Sequence, residues 1–146
     1  MTGPTRLLAA LIAVSGLSLA FPNRAWAPHG CGSGGCMTQL LGKNEVEAGS
    51  PVASGEVTIR LNAKVGRVCW TLKVNGLDPI TAVQIEAAPE GKAGIVVVVL
   101  FSGKLRGNGC VSAPKSVVAA IDDNPQDYYV NVRTAKYPAG AIRGQL

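Results

Sequence analysis

Val68-Cys69-Trp70-Thr71-Leu72-Lys73-Val74-Asn75-Gly76 is the stretch that decides the fold class. Val68, Trp70, Leu72 and Val74 occupy every second position, with Cys69, Thr71 and Lys73 between them, and Asn75-Gly76 closes the run with a turn dipeptide. Side chains two apart share one face of an extended chain but scatter around a helix axis. The stretch therefore predicts a half-buried antiparallel strand.

The same period continues in both directions. Val57, Ile59 and Leu61 alternate with Glu56, Thr58 and Arg60; Val83 and Ile85 alternate with Gln84 and Glu86. Val130 and Val132 alternate with Tyr129, Asn131 and Arg133, and Ile142, Gly144 and Leu146 end the chain on another alternating strand. The run Ile95 to Phe101 is continuously apolar and rich in β-branched residues, which predicts a strand covered on both faces. Turn residues separate these segments at Asn75-Gly76, Asp78-Pro79, Pro89 to Gly91, Asn108-Gly109 and Pro138 to Gly140. One segment departs from the period of two: Pro114 to Asp123 places Val117, Val118 and Ile121 on one helical face, with Pro114 near the first turn and Asn124-Pro125 as the stop. Seven or eight short strands with regular turns imply an all-β sandwich or flattened barrel, with one short helix around residues 114–123 packed over an end.

Upstream of the strands the composition changes. Leu7 to Phe21 is an apolar stretch interrupted by Ser15, Gly16 and Ser18 and preceded by Arg6, the pattern of a secretion signal. It is shorter than the roughly 20 apolar residues of a membrane span. Cleavage sites of small-x-small type follow Ala20 and Ala27, and Ala27 is preferred, which divides the chain into a signal peptide over 1–27, a Gly/Cys-rich leader over 28–36 and a single β domain over 37–146. The 14 basic and 9 acidic residues give +5, and loss of Arg6 and Arg24 with the signal leaves +3. Those basic residues are dispersed, with few aromatics among them, which argues against a nucleic-acid partner.

Four cysteines suit an oxidising compartment. Of the three possible connectivities, Cys69 with Cys110 and Cys31 with Cys36 is the expected one, since the first two lie in strand-like runs and the other two are close together in the leader. A bridge closing the longer loop stabilises the fold by about 4 kcal/mol in the loop-entropy model. The spacing does not match a zinc finger. His29, Cys31, Cys36 and Met37 gather soft ligands that could hold cuprous copper if reduced, against the simpler reading of a local disulfide. Asp122, Asp123 and Asp127 lack calcium-loop spacing and read as a solvated turn. Tyr128, Tyr129 and Tyr137 read as sheet packing. There is no Gly-x-Ser-x-Gly elbow, and the β domain contains no histidine to act as a general base.

Several stretches resemble the CHRD domain family. They are Leu41-Gly42-x-Asn44-Glu45-Val46, Val74-x-Gly76-Leu77, Gly91-x-x-Gly94, Tyr128-Tyr129-Val130-Asn131-Val132-x-Thr134, and Tyr137-Pro138-x-Gly140-x-Ile142-Arg143-Gly144-Gln145-Leu146. The resemblance spans residues 41–146 and implies an immunoglobulin-like β fold related in shape to copper/zinc superoxide dismutase. It also implies His-x-His on the middle strand and a third histidine near the end of the Tyr-Val-Asn-Val element. This chain has Gln84-Ile85-Glu86 and Arg133 at those places, so a family-type copper or zinc site is not expected and no cofactor is assigned. In its place an Arg133 to Glu86 ion pair is expected on the polar faces of two adjacent strands, with Gln84 as a hydrogen-bonding neighbour. As a surface pair it would contribute only about 0–1 kcal/mol. The expected function is an exported, non-enzymatic domain with a structural or partner-binding role, the partner being an unidentified protein or cell-surface component. The alternative is an exported metal-binding or redox protein using atypical ligands.

Overall fold

The computed structural model describes Cys31 and residues 35–146, so the segments expected to be a signal peptide over 1–27 and most of a leader over 28–36 lie outside the described residues. Strands β1 (Cys36–Leu41), β2 (Ser54–Asn62), β3 (Arg67–Asn75), β4 (Ile80–Ala87), β5 (Ile95–Ser102), β6 (Asn108–Ser112), β7 (Tyr128–Thr134) and β8 (Ile142–Gln145) form one antiparallel sheet in the order β5-β4-β7-β8-β1-β2-β3-β6. The alternation around Trp70 aligns with its neighbours as the pattern requires. Val57, Ile59 and Leu61 on β2 lie opposite Leu72, Trp70 and Val68 on β3, so apolar residues meet apolar residues across the ladder.

The sheet curls until its two ends approach. Trp70 on β3 stacks on Phe101 of β5 with ring centroids 5.8 Å apart, although the two strands stand near opposite ends of the strand order. Two four-stranded halves thus face each other in a nearly closed barrel, joined where β1 meets β8 through the single pair Leu41 and Arg143. Val57, Ile59, Val68, Leu72, Val83, Ile85, Val130, Val132 and Ile142 fill the space between the halves. The helix α1 (Lys115–Asp123) lies against β2 and β3 and inserts Val118 and Ile121, both fully buried.

Two expectations are corrected by the topology. Ile95 to Phe101 is not a strand covered on both faces: β5 pairs only with β4 at the sheet edge, and Ile95, Val96 and Val99 are open to solvent. Register shifts beside Val83/Gln84 and Ile85/Glu86 insert extra residues into β5, and the rephased strand buries Val98, Leu100 and Phe101 while exposing Ile95, Val96 and Val99. The unbroken apolar run therefore reflects bulges on an edge strand. Asn108-Gly109 is not a turn but the start of β6, and a Cβ on Gly109 would sit 2.6 Å from the Trp70 ring. Gly109 is there because the indole occupies the space a side chain would need.

Because Ile121 is buried without exposed surface where α1 packs on β2 and β3, Ile121→Ala is expected to lower stability by about 2–5 kcal/mol through lost burial and a residual cavity, read as a shifted urea midpoint at unchanged m-value.

Candidate functional site

Strands β4, β7 and β8 lie side by side, and their register decides which side chains meet. Gln84, Asn131 and Arg143 stand opposite one another, as do Glu86, Tyr129 and Gln145, while Arg133 pairs with Ala82. Since directly paired residues share a face and so do residues two apart, all seven polar side chains project from the same side of the sheet. Val83, Ile85, Val130, Val132 and Ile142 project from the other side into the core.

Glu86 is the centre of this face. Its Oε1 accepts hydrogen bonds from Arg133 Nη2 at 2.6 Å and from Asn131 Nδ2 at 3.2 Å, and its Oε2 accepts one from the Tyr129 hydroxyl. The Arg133–Glu86 ion pair thus exists, but not as a surface pair: the Glu86 side chain is 3% exposed and that of Arg133 30%. The reason is cover from three loops. In the β4–β5 turn, Gly94 N donates to the Tyr129 hydroxyl at 3.0 Å, Lys92 O accepts from Arg143 Nη1 at 2.8 Å, and Ala88 O accepts from Gln145 Nε2 at 2.9 Å. In the β7–β8 loop, Ala139 O accepts from Asn131 Nδ2 at 3.0 Å. The loop after β1 carries Asn44, which donates to Arg143 O at 3.1 Å, and is tied to Ala141 by the Ser50 amide at 2.8 Å. Gln84 is not the hydrogen-bonding neighbour expected of it; its Oε1 is buried without a partner.

Arg143 is itself buried and lies over the Tyr129 ring, 3.4 Å from guanidinium carbon to centroid, an arrangement in which the ring face attracts the cation. Burial is the larger cause that raises the Tyr129 pKa, and the hydrogen bond to Glu86 raises it further. Glu45 completes the group. Its carboxylate lies against Gly140, in the space a Cβ there would take, so a side chain at 140 would displace the Glu45 carboxylate. Burial raises its pKa to about 7, with Arg143 and Arg133 opposing the shift and Glu86 adding to it. Glu45 also lines an open depression of about 580 Å³ formed by the loop after β1, which gives it a route to solvent. The four buried side-chain polar atoms without partners among the described residues, Glu45 Oε1, Gln84 Oε1, Asn131 Oδ1 and Arg133 Nε, all belong to this group. Each carries a desolvation cost that offsets part of the bonding around Glu86.

The chemistry of these residues does not suit a copper or zinc ion: Glu86 is occupied by three donors, Arg133 brings a guanidinium that cannot ligate, and Gln84 is a poor ligand for either metal. Elsewhere, Cys69 is bonded to Cys110 and Cys31 to Cys36. His29 lies outside the described residues, and Met37 is exposed. Asp123 and Asp127 are exposed, and no group of three His, Cys, Asp or Glu suited to a metal ion occurs among the described residues. Among those residues, no helix is long and apolar enough to cross a membrane. The sequence reading missed Glu45, Tyr129, Asn131, Arg143 and Gln145 as members of one group. The available signal was that Tyr129 and Asn131 share the strand face of Arg133; the part played by Glu45 and β8 needed the topology.

Removing Arg133 leaves Glu86 two donors, whereas removing Glu86 takes the shared acceptor from three donors at once and leaves the buried Tyr129 hydroxyl proton without one. Arg133→Ala is expected to cost about 1–3 kcal/mol and Glu86→Ala about 3–5 kcal/mol, with the double variant losing less than the sum in urea denaturation. Glu45 keeps its proton in the folded state up to about pH 7 but would lose it near pH 4.5 when unfolded. Its contribution is therefore fully present below pH 4.5 and is lost as pH rises through about 7. Denaturation midpoints measured across that window should fall with pH, and Glu45→Gln should flatten the slope.

Comparison with curated proteins and with solved structures returns no match. The family model described as CHRD domain matches residues 37–146. With four of the five stretches of likeness gathered around Glu86 in an all-β barrel and the family model covering most of the chain, the protein belongs to the CHRD domain family.

Proposed function

We propose that this chain is an exported, non-enzymatic CHRD domain with a structural or partner-binding role at the cell surface or outside the cell. The observation that carries this reading is the state of the Glu86 face. The side chains placed where metal ligands would be expected are engaged with one another, and a carboxylate with three donors is not a free base. The β domain also has no histidine to move protons at neutral pH. Two disulfides support an oxidising location. Support for partner binding comes from β5, an edge strand that leaves Ile95 73% exposed together with Val96 and Val99; unpaired backbone beside apolar side chains is the feature used when an added strand extends a sheet.

The deciding experiment is a metal assay on purified, tag-free protein lacking the signal peptide, incubated with copper or zinc and desalted. Metal well below one equivalent is expected, and Glu86→Gln should not change it. Stoichiometric copper or zinc would replace this reading with that of an exported metal-binding protein.

A further inference from the structure

We propose that Cys69–Cys110 is an exchangeable disulfide, attacked at Cys110 by an external thiolate, and that its opening frees β6 from the edge of β3. The placement of the bridge carries the inference. Cys69 and Cys110 are directly opposed on β3 and β6, with Cα atoms 4.0 Å apart. The Leu72 amide bonds Gly107 O at 2.7 Å, so in the alternation of an antiparallel ladder the pairs 72/107 and 70/109 are the hydrogen-bonded ones. By the same alternation 68/111 is the next hydrogen-bonded pair, so the 69/110 pair falls between 70/109 and 68/111, where side chains stand closest and no backbone bond links the two residues. Both side chains point away from the core, since Val68, Trp70 and Leu72 on alternate positions of β3 point into it. Cys110 is exposed and Cys69 half-buried, whereas Cys31 in the other bridge is buried. Attack is thus open at the Cys110 sulfur.

The surroundings favour exchange. The exposed Arg60 stands directly opposite Cys69 on β2, and the exposed Arg67 is two residues away on the same face of β3. On β6 the flanking residues of that face, Asn108 and Ser112, are uncharged. Nearby cations stabilise a thiolate, which makes Cys69 the better leaving group. In the first step the incoming thiolate bonds to the Cys110 sulfur and the Cys69 sulfur departs with the bonding pair. In the second, another thiolate attacks the incoming sulfur of the mixed disulfide and releases Cys110. The two thiols are oxidised to a disulfide, and both cysteines are reduced by two electrons and take up protons at their thiol pKa values. The co-reactant is a small thiol such as glutathione or a dithiol of the same class.

Little else holds β6. It is five residues long, sits at the sheet edge, pairs only with β3, and contributes only Gly109 and Val111 toward the interior. A segment with few buried contacts is one that opens without global unfolding. The proposal does not depend on the partner-binding role, and its failure leaves that role untouched.

The test is to treat the folded, signal-free protein with glutathione under native conditions, quench by alkylation, and map adducts by mass spectrometry alongside hydrogen exchange. The expected result is a glutathione adduct on Cys110, with free Cys69, in protein that keeps its β-sheet circular dichroism. Amides of residues 108–112 should then exchange roughly tenfold faster or more while β2, β4 and β7 stay protected. Arg60→Glu with Arg67→Glu should slow adduct formation several-fold. A bridge that opens only in denaturant, an adduct placed on Cys69, or loss of protection throughout the sheet would each overturn the proposal.

Discussion

The buried carboxylate of Glu86 is the constraint around which one half of the barrel is organised. A charge at 3% exposure is tolerated only if its oxygens are satisfied, and here a hydroxyl, an amide and a guanidinium from alternate positions of one neighbouring strand do so. That requirement sets the β4–β7 register as firmly as the apolar face does. A slip of one residue would turn Glu86 toward Val130 and Val132 and turn Ile85 out beneath the loops.

Satisfying Glu86 has consequences farther out. Tyr129, drawn into the bond, offers its ring to Arg143, and Arg143 in turn reaches Lys92 O and receives Asn44 on its own carbonyl. The loops that cover the face are therefore held by polar side chains of the strands beneath them. Two carboxylates face two guanidinium groups, and their charges balance only as Glu45 loses its proton with pH rising through about 7. The opposite half of the barrel is built differently. There β2, β3 and β6 turn a solvated face outward, and a covalent bridge between β3 and β6 takes the role that the polar group has under the loops.

Much of this was legible in the residues. The alternation in β2, β3, β4, β7 and β8 located each strand because a period of two has one structural meaning, and Pro114 with Val118 and Ile121 marked the helix. The pairing of charges at 86 and 133 was readable once the two strands were taken as neighbours. What local pattern misread was context. The Ile95 to Phe101 run looked central because apolar residues at successive positions usually mean two covered faces, and bulges on an edge strand produce the same letters. Asn108-Gly109 looked like a turn because its glycine was assigned to backbone freedom when it was needed for the Trp70 indole.

The sequence by itself determined the strand faces, the single helix and the absence of histidine ligands in the domain, because those follow from residue type and spacing along the chain. Only the tertiary structure decided that Glu86 is buried, that Glu45 and Arg143 join it, and that Cys110 is the open end of its bridge. Burial and convergence depend on which loops cover which strands, and that cover comes from residues as far away in the chain as Asn44 is from Arg143. A strand's alternation shows which side chains leave the core, but not whether water or another loop meets them.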